Sequence, residues 1–516
     1  MLGLGLWGLD RDGMWRDEGV TFQVARRSVP EILRLVQGVD AVHALYYLLM
    51  HAVLAVHPGE IALRLPSVLA AAAAAGLIAA LGVRLARPRV GLWAGLLYAV
   101  TPLVGHYAQE GRSYALVTAG AAGATLLLVR RAWWAYGVVL TVTCLLHELA
   151  APVVCAHAVT LGVGRAPRRV WAAWGCAVAA AGVALLPLLL LSRAQAGQVG
   201  WLPVPGWGSA ERLLREFAAG PTGVVFGVCV LLMVAGLGAG RVAGVALPLL
   251  VVPPGLLIAV SQVRPLYDDR YVLYALAGAP LLVAAGADRL TDLVHRVRPG
   301  GERPSHNPKP DGDPHLDQGP RLGQGPYDGR PVAGRPPHRP LAPLAGTLAI
   351  TLVFLHHLPL HRQDRSPAHR PDNLALTSAY AARHLRPGDP VLFVPSIGRR
   401  AVLAYPKGFR RAWDIALRQS GPRSGTLYGR EVGAGELRRR LASVDRVWVV
   451  AEPYALNSPW YPSNPTERVK LAVVGEEFRP LSEGPPDGPL RLYVRRPAAE
   501  RTAHLATERT PQSPNR

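Results

Sequence analysis

Long runs of Ala, Leu, Val and Gly fill residues 61–288, whereas residues 289–340 and 360–516 are mostly polar. Two such populations in one chain predict a membrane-embedded part joined to water-soluble segments. A helical span needs about 20 mostly apolar residues, because each residue advances only about 1.5 Å across the hydrocarbon. Ten stretches meet that need: 61–83, 91–108, 113–129, 132–148, 149–164, 170–191, 222–240, 242–260, 271–287 and 341–358. The expected fold class is mainly α, a polytopic transmembrane helical bundle of about ten spans with a small C-terminal α/β domain.

The flanking segments carry other patterns. Residues 1–60 read as a first loop with interfacial helices. Ile32, Leu35, Val36 and Val39 recur at helical spacing, and His43-Ala44-Leu45-Tyr46-Tyr47-Leu48-Leu49-Met50-His51 is apolar but broken by histidines. The second piece is expected to lie on the outer leaflet with Tyr46 and Tyr47 at headgroup level. Residues 61–288 form the expected membrane core, 289–340 a disordered cytoplasmic linker rich in Pro, Gly, Arg and Asp, and 341–358 the last span. Residues 372–496 read as a small α/β domain. Its strands are expected at 391–394, 447–450 and 490–494, with helices at 373–385 and 434–442. Residues 497–516 read as a disordered tail.

Charge orients the bundle. The net charge is +21, and all but three of the 56 basic residues are arginine. Arg84, Arg87 and Arg89 follow the first expected span, Arg130 and Arg131 the third, Arg165, Arg168 and Arg169 the fifth, and Arg241 the seventh. Every second loop is therefore basic and is expected on the cytoplasmic side of the plasma membrane. The loops 1–60, 109–112, the turn near 148, 192–221, 261–270 and the region after 358 then face outward. An even span count puts both termini outside, so a further first helix is expected to be missing from this chain. The arginines are scattered between apolar runs without a basic face interleaved with aromatics, which excludes nucleic acid as a partner. Cys144, Cys155, Cys176 and Cys229 lie in apolar runs without metal-type spacing and read as small buried hydrophobes.

Polar side chains able to do chemistry gather on the outward loops. They are Asp17 and Glu18, His43, the stretch His106–Tyr114, His147 with Glu148, and Arg264 with Asp268-Asp269-Arg270-Tyr271. Ion-coupled transporters place such groups near the midplane instead. A site at one face suits a lipid-held substrate. Sugar transfer from a lipid phosphate needs a base for the acceptor hydroxyl, positive charge for the leaving phosphate, and exclusion of water. A carboxylate and arginines supply the first two. Arg64 reads as a snorkelling interface anchor. A lipid-linked-sugar transporter or flippase and a non-catalytic cell-envelope scaffold are the alternatives from other classes.

Four elements in order carry a resemblance: Trp15-Arg16-Asp17-Glu18, Val42-His43-Ala44-Leu45-Tyr46-Tyr47-Leu48-Leu49, Leu63-Arg64-Leu65-Pro66-Ser67, and Tyr107-Ala108-Gln109-Glu110-Gly111-Arg112-Ser113-Tyr114. Over about residues 10–290 the chain resembles the membrane-embedded GT-C-fold glycosyltransferases. It resembles specifically bacterial relatives of protein O-mannosyltransferases (glycosyltransferase family 39) and of aminoarabinose transferases acting on lipid A. The resemblance implies an inverting transfer of a hexose, with mannose the leading candidate, from a polyprenyl-phosphate sugar to an extracytoplasmic protein, glycolipid or polysaccharide. It implies Asp17 as general base with Glu18 second to it. It places Glu110, Arg112 and Tyr114 at the donor phosphate-sugar site and Arg270 and Tyr271 on the lipid phosphate. Some members bind a divalent metal near the first loop, for which His43 and His147 are the candidate ligands. Two features depart from the family: the usual first helix is absent, and Ala44 replaces the commoner Pro after the first-loop histidine.

Overall fold

The computed structural model describes residues 1–10, 13–199, 202–217, 223–297, 341–366, 374–452, 454–455, 461–481 and 490–497. In chain order the helices of the first part are α1 Leu2–Leu6, α2 Arg16–Ala25, α3 Val29–Val36, α4 Ala44–Val56, α5 Glu60–Leu85, α6 Pro88–Val100, α7 Pro102–Ala108 and α8 Tyr114–Arg130. They continue as α9 Trp133–Leu146, α10 Val153–Val163, α11 Arg168–Ala194, α12 Trp207–Phe217, α13 Gly223–Leu237, α14 Ala243–Ser261, α15 Gly278–Val297 and α16 Leu341–Asp364.

Among the described residues five helices are long and apolar enough to cross a membrane: Glu60–Leu85, Arg168–Ala194, Ala243–Ser261, Asp269–Val294 and Leu344–Asp364. Ala41–Val56, Tyr114–Arg130, Trp133–Leu146, Glu148–Val163 and Gly223–Leu237 are apolar but shorter. Val183 on α11 and Leu231 on α13 stay 73% and 70% exposed, so these helices turn apolar faces outward, as lipid contact requires. Glycines bring the helices close. A Cβ at Gly91 of α6 would collide with the Ala79 carbonyl of α5, and one at Gly286 of α15 with the Leu232 carbonyl of α13. Small residues at such crossings let backbones approach where lipid gives no hydrophobic drive.

The helices depart from the expected spans where local chemistry interrupts the backbone ladder. The stretch expected as one span at 91–108 is two helices, because Pro102 lacks an N–H and Thr101 before it is extended, at ψ 125°. The join between 132–148 and 149–164 is a break at His147, extended at φ −163° and followed by a 3-10 turn, Glu148–Ala150. Residues Asp269–Ala277 are a 3-10 helix that becomes α-helical only at Gly278. The helix continues to Val297, so the first residues of the expected linker are ordered helix; 298–340 lie outside the described residues, as does the tail after Pro497.

Tyr46 and Tyr47 lie inside the protein and present no surface to headgroups. Both are fully buried, and the Tyr47 hydroxyl donates to Asp40 Oδ2 at 2.9 Å. Arg64 is not a snorkelling anchor either, since it is 1% exposed and ion-paired inside the fold. In both cases neighbouring elements cover a face that the isolated helix would leave open.

After α16 come α17 Leu374–His384, α18 Arg400–Ala404, α19 Gly421–Ser424, α20 Ala434–Ala442 and α21 Pro465–Glu477. The strands are β1 Pro390–Val394, β2 Trp413–Asp414, β3 Leu417–Gln419, β4 Arg430–Glu431, β5 Arg446–Ala451, β6 Phe478–Pro480 and β7 Leu490–Arg495. They form a five-stranded sheet of order β2-β1-β5-β7-β6 and a two-stranded ribbon, β3-β4. β1 is parallel to β2 and β5, with Leu392 opposite Val449, and β7 runs antiparallel to β5 and β6. β1 is buried along its whole length, the pattern of a strand covered on both faces.

This sheet domain packs onto α2. The Tyr405 hydroxyl accepts from the Met14 backbone N–H at 2.7 Å and donates to the Glu60 carboxylate. At the far end of α2, Gln23 and Arg27 donate to the carbonyls of Leu427 and Thr426.

Candidate functional site

Asp17 and Glu18 both sit in the first turn of α2, where the helix dipole favours negative charge. Neighbouring residues on a helix project about 100° apart, so the two carboxylates part company. Glu18 turns into the protein and is fully buried. Its two oxygens take Nε and Nη2 of Arg64, each at 2.8 Å, and Oε1 also accepts the Gly111 N–H at 2.8 Å. Arg64 in turn donates to the carbonyls of Leu9 and Gly13. Glu18 is thus a strut joining α2, α5 and the 109–113 turn, and its charge is fully compensated.

Asp17 turns the other way, onto a cavity of about 470 Å³. The same cavity is lined by His43, Arg112, Tyr114, His147, Arg270 and Tyr271. These residues come from five segments, and three of them stand at backbone interruptions: the 109–113 turn, the break at His147 and the 3-10 start at Asp269. Arg270 Nη1 contacts Asp17 Oδ2 at 3.2 Å, and Nη2 contacts Asp268 at 3.2 Å. Arg112 donates from Nη2 to His43 Nε2 at 2.7 Å and from Nη1 to Thr21 Oγ1 at 3.3 Å. A guanidinium has only donors, so His43 Nε2 accepts and the ring proton sits on Nδ1. Burial and the adjacent Arg112 hold His43 well below the usual histidine range, in its neutral form.

Three buried atoms on the cavity residues have no hydrogen-bond partner: His43 Nδ1, Arg112 Nε and Arg270 Nε. Buried donors left open in this way can be completed by a water, an ion or a ligand. An aromatic wall faces them. Ring centres of Tyr114 and His147 are 5.9 Å apart, those of His147 and Tyr271 5.0 Å, and those of Tyr114 and Tyr271 6.3 Å.

Glu110 stands outside the lining. It is 4% exposed, and its Oε2 has no partner. Burial pushes its carboxyl up to about 7, helped by the nearby Glu18 and opposed by His106. The turn that carries it is fixed by Ser67 Oγ, which donates to the carbonyls of Glu110 and Arg112 at 2.6 and 3.1 Å. Gly111 presses on Leu63, which a Cβ would meet at 2.6 Å.

His43 and His147 do not make a metal site. Their ring centres are 5.7 Å apart, but Arg112 occupies His43 Nε2 and would repel a cation there. His147 Nδ1 accepts from the Leu149 N–H at 3.3 Å. No group of three or more His, Cys, Asp or Glu able to hold a metal occurs among the described residues.

Sequence reasoning missed the polar lining residues Asp40, Ser192, Arg193 and Gln195. Asp40 is left-handed at φ 57°, a conformation that Asp tolerates better than most residues. Burial raises its carboxyl above the usual range. The short polar break Gln37-Gly38-Val39-Asp40 between two apolar helices was the available signal. Gln195 accepts from the Ala41 N–H at 2.9 Å and donates to the Val36 carbonyl at 2.8 Å. It pins the end of α11 to the first-loop turn, a contact across 154 residues that no local pattern announces.

Neither the family models nor the curated proteins give a match to this sequence. Among solved structures the chain is similar to ArnT from Cupriavidus metallidurans in the apo state, with a TM-score of 0.55 at 12% identity, over 95% of this chain and 96% of that one. It is equally similar to the same protein bound to undecaprenyl phosphate, with a TM-score of 0.55 at 12% identity, over 96% and 97% of the two chains. The likeness is one of fold, spanning both the helical membrane bundle of this chain and the small sheet domain at its C-terminal end.

Proposed function

We propose that this chain is a plasma-membrane glycosyltransferase that moves a sugar from a polyprenyl-phosphate donor to an extracytoplasmic acceptor with inversion. The observation that carries the reading is the convergence of Asp17 with Arg112 and Arg270 on one cavity, where both arginines keep a buried Nε without a partner. The likeness in fold to a protein solved with undecaprenyl phosphate supports the donor class.

In the proposed transfer the acceptor hydroxyl oxygen attacks the anomeric carbon while the bond from that carbon to the phosphate oxygen breaks. The hydroxyl proton passes to Asp17, whose Oδ2 is steadied by Arg270. The bonding electron pair leaves with the polyprenyl phosphate. Arg112 and Arg270 receive that charge, because guanidinium groups bind phosphate oxygens in pairs and stay protonated. Being held before the ligand arrives, they need little reorganisation. The wall of Tyr114, His147 and Tyr271 offers a flat apolar face to the sugar and limits water. Glu18 holds α2 against α5 and the 109–113 turn rather than touching the reacting atoms. Mannose is the first donor sugar to test, with protein, glycolipid and cell-wall polysaccharide as acceptors.

The test is sugar transfer by membranes supplied with a panel of radiolabelled polyprenyl-phosphate sugars. Asp17→Asn should lower turnover by about a hundredfold or more, the usual contribution of a positioned base, with insertion intact. Normal transfer by that variant overturns the assigned base, and no transfer from any donor by the wild type overturns the donor class.

A further inference from the structure

A second polar cavity, of about 430 Å³, lies in the sheet domain between the end of α17 and the segment after α18. Arg386, Lys407, Arg410 and Arg411 line it, and no carboxylate does. The four side chains make no ion pair among the described residues. The buried cations of this domain are paired: Arg399 with Asp414 and Glu431, and Arg400 with Glu452. The acids closest in sequence, Asp389 and Asp414, are already committed, Asp414 to Arg399. Asp389 is held three times over. It accepts from the Arg386 backbone N–H, Trp448 Nε1 and Arg446 Nη2.

The backbone under the four cations is fixed. Gly388, left-handed at φ 83°, donates its N–H to the Arg411 carbonyl at 2.9 Å and so staples the two cation-bearing segments together. Gly408 donates to Ser378 Oγ at 3.1 Å and lies so close to α17 that a Cβ would collide with the Ser378 carbonyl. Lys407 and Arg410 are therefore presented from a rigid turn. Like charges held around one cavity raise its potential, and a bound anion relieves that repulsion. Three guanidinium groups suit phosphate oxygens, which they can grip two at a time.

We propose that this cavity binds a phosphate-bearing ligand of two or more negative charges. The chemistry is shared by a free phosphorylated solute and by an anionic phospholipid headgroup, and the proposal is independent of the glycosyltransferase reading.

The full chain in neutral detergent is titrated with inorganic pyrophosphate by calorimetry. Wild type is compared with R410Q/R411Q and with R112Q/R270Q, because the cavity at α2 also holds arginines. R410Q/R411Q should weaken one class of binding by about tenfold or more, as loss of two charge-assisted contacts implies. That class should persist in R112Q/R270Q and weaken with added salt. In a second arm the chain is placed in phosphatidylcholine nanodiscs with or without phosphatidylglycerol, and retained lipid is counted by mass spectrometry. Enrichment of phosphatidylglycerol that R410Q/R411Q abolishes identifies the headgroup as the ligand. The exposed positions of Arg410 and Arg411 should leave the melting temperature unchanged; if it falls, K407Q serves as the second variant. Pyrophosphate and phosphatidylglycerol binding both unaltered in the variants overturn the proposal.

Discussion

At the residue scale the acidic pair of α2 divides into two roles because a helix turns its neighbours apart. Asp17 is partly open to the cavity, while Glu18 is sealed against Arg64. Arg64→Gln leaves Glu18 buried without its cation, a loss of about 3–5 kcal/mol for such a pair, and should lower the unfolding temperature in detergent with or without any substrate. Glu110 makes a second prediction. Its carboxyl ordinarily ionises near 4.5 but is held up to about 7 in the fold. Between those values the unfolded chain is ionised at this position and the folded one is not. The folded state then binds the extra proton, so stability should fall as pH rises from about 4.5 to 7 and level off above. Melting curves across pH 4–8 should lose that slope in Glu110→Gln; an unchanged slope would assign it to other groups.

At the scale of elements, α2 is held from a domain that follows it by some 350 residues. Tyr405 ties its approach, Leu374 and Ala404 press on its middle, and Leu427 and Thr426 receive its last turn. The contact at Gly19 leaves no room for a side chain, since a Cβ would meet Leu374 Cδ1 at 2.8 Å and Ala404 Cβ at 3.3 Å. Gly19→Val should push α18 off α2, move Asp17 and lower kcat more than it raises KM in the transfer assay. Gly19→Ala should recover part of the loss, because Leu374 has a flexible end that can yield. Equal effects of Ala and Val would argue that the helix tolerates the displacement. The helix breaks at Thr101-Pro102 and His147 do related work. Each ends a span early and turns polar residues toward one end of the bundle, where backbone outside a regular helix is tolerated because protein rather than lipid surrounds it.

At the scale of the whole molecule, the two ends of the bundle are built differently. The α2 end carries buried charges with open bonding capacity. The opposite end of α5 is closed by Arg87 and Arg89, both paired with Asp288 and Asp292, which lock α6 to α15. The sheet domain has its own charged centre in Lys470, which is fully buried and bonds the Phe393 carbonyl at 2.9 Å, Glu431 at 2.7 Å and Glu467 at 3.1 Å. Lys470→Met leaves Glu467 without a cation and Glu431 with Arg399 alone, so it should destabilise this domain by about 3–5 kcal/mol and expose the β1–β5 region to proteolysis before the helical bundle. Apolar runs and three strand-like runs sufficed to foresee the membrane bundle and an α/β part within residues 372–496, because those depend on hydrophobic patterning within about 20 residues. The same reading named Asp17, Arg112, Tyr114, Arg270 and Tyr271, and the fold sets these five around one cavity. Three things were decided only in three dimensions: the opposite facing of Asp17 and Glu18, the burial of Arg64, Tyr46 and Tyr47, and the entry of Asp40, Ser192, Arg193 and Gln195 into the lining. The physical reason is the same for all three. Whether a polar side chain meets water, a counter-charge or a cavity depends on elements that come from elsewhere in the chain, and nothing in its own neighbourhood encodes which of them arrives.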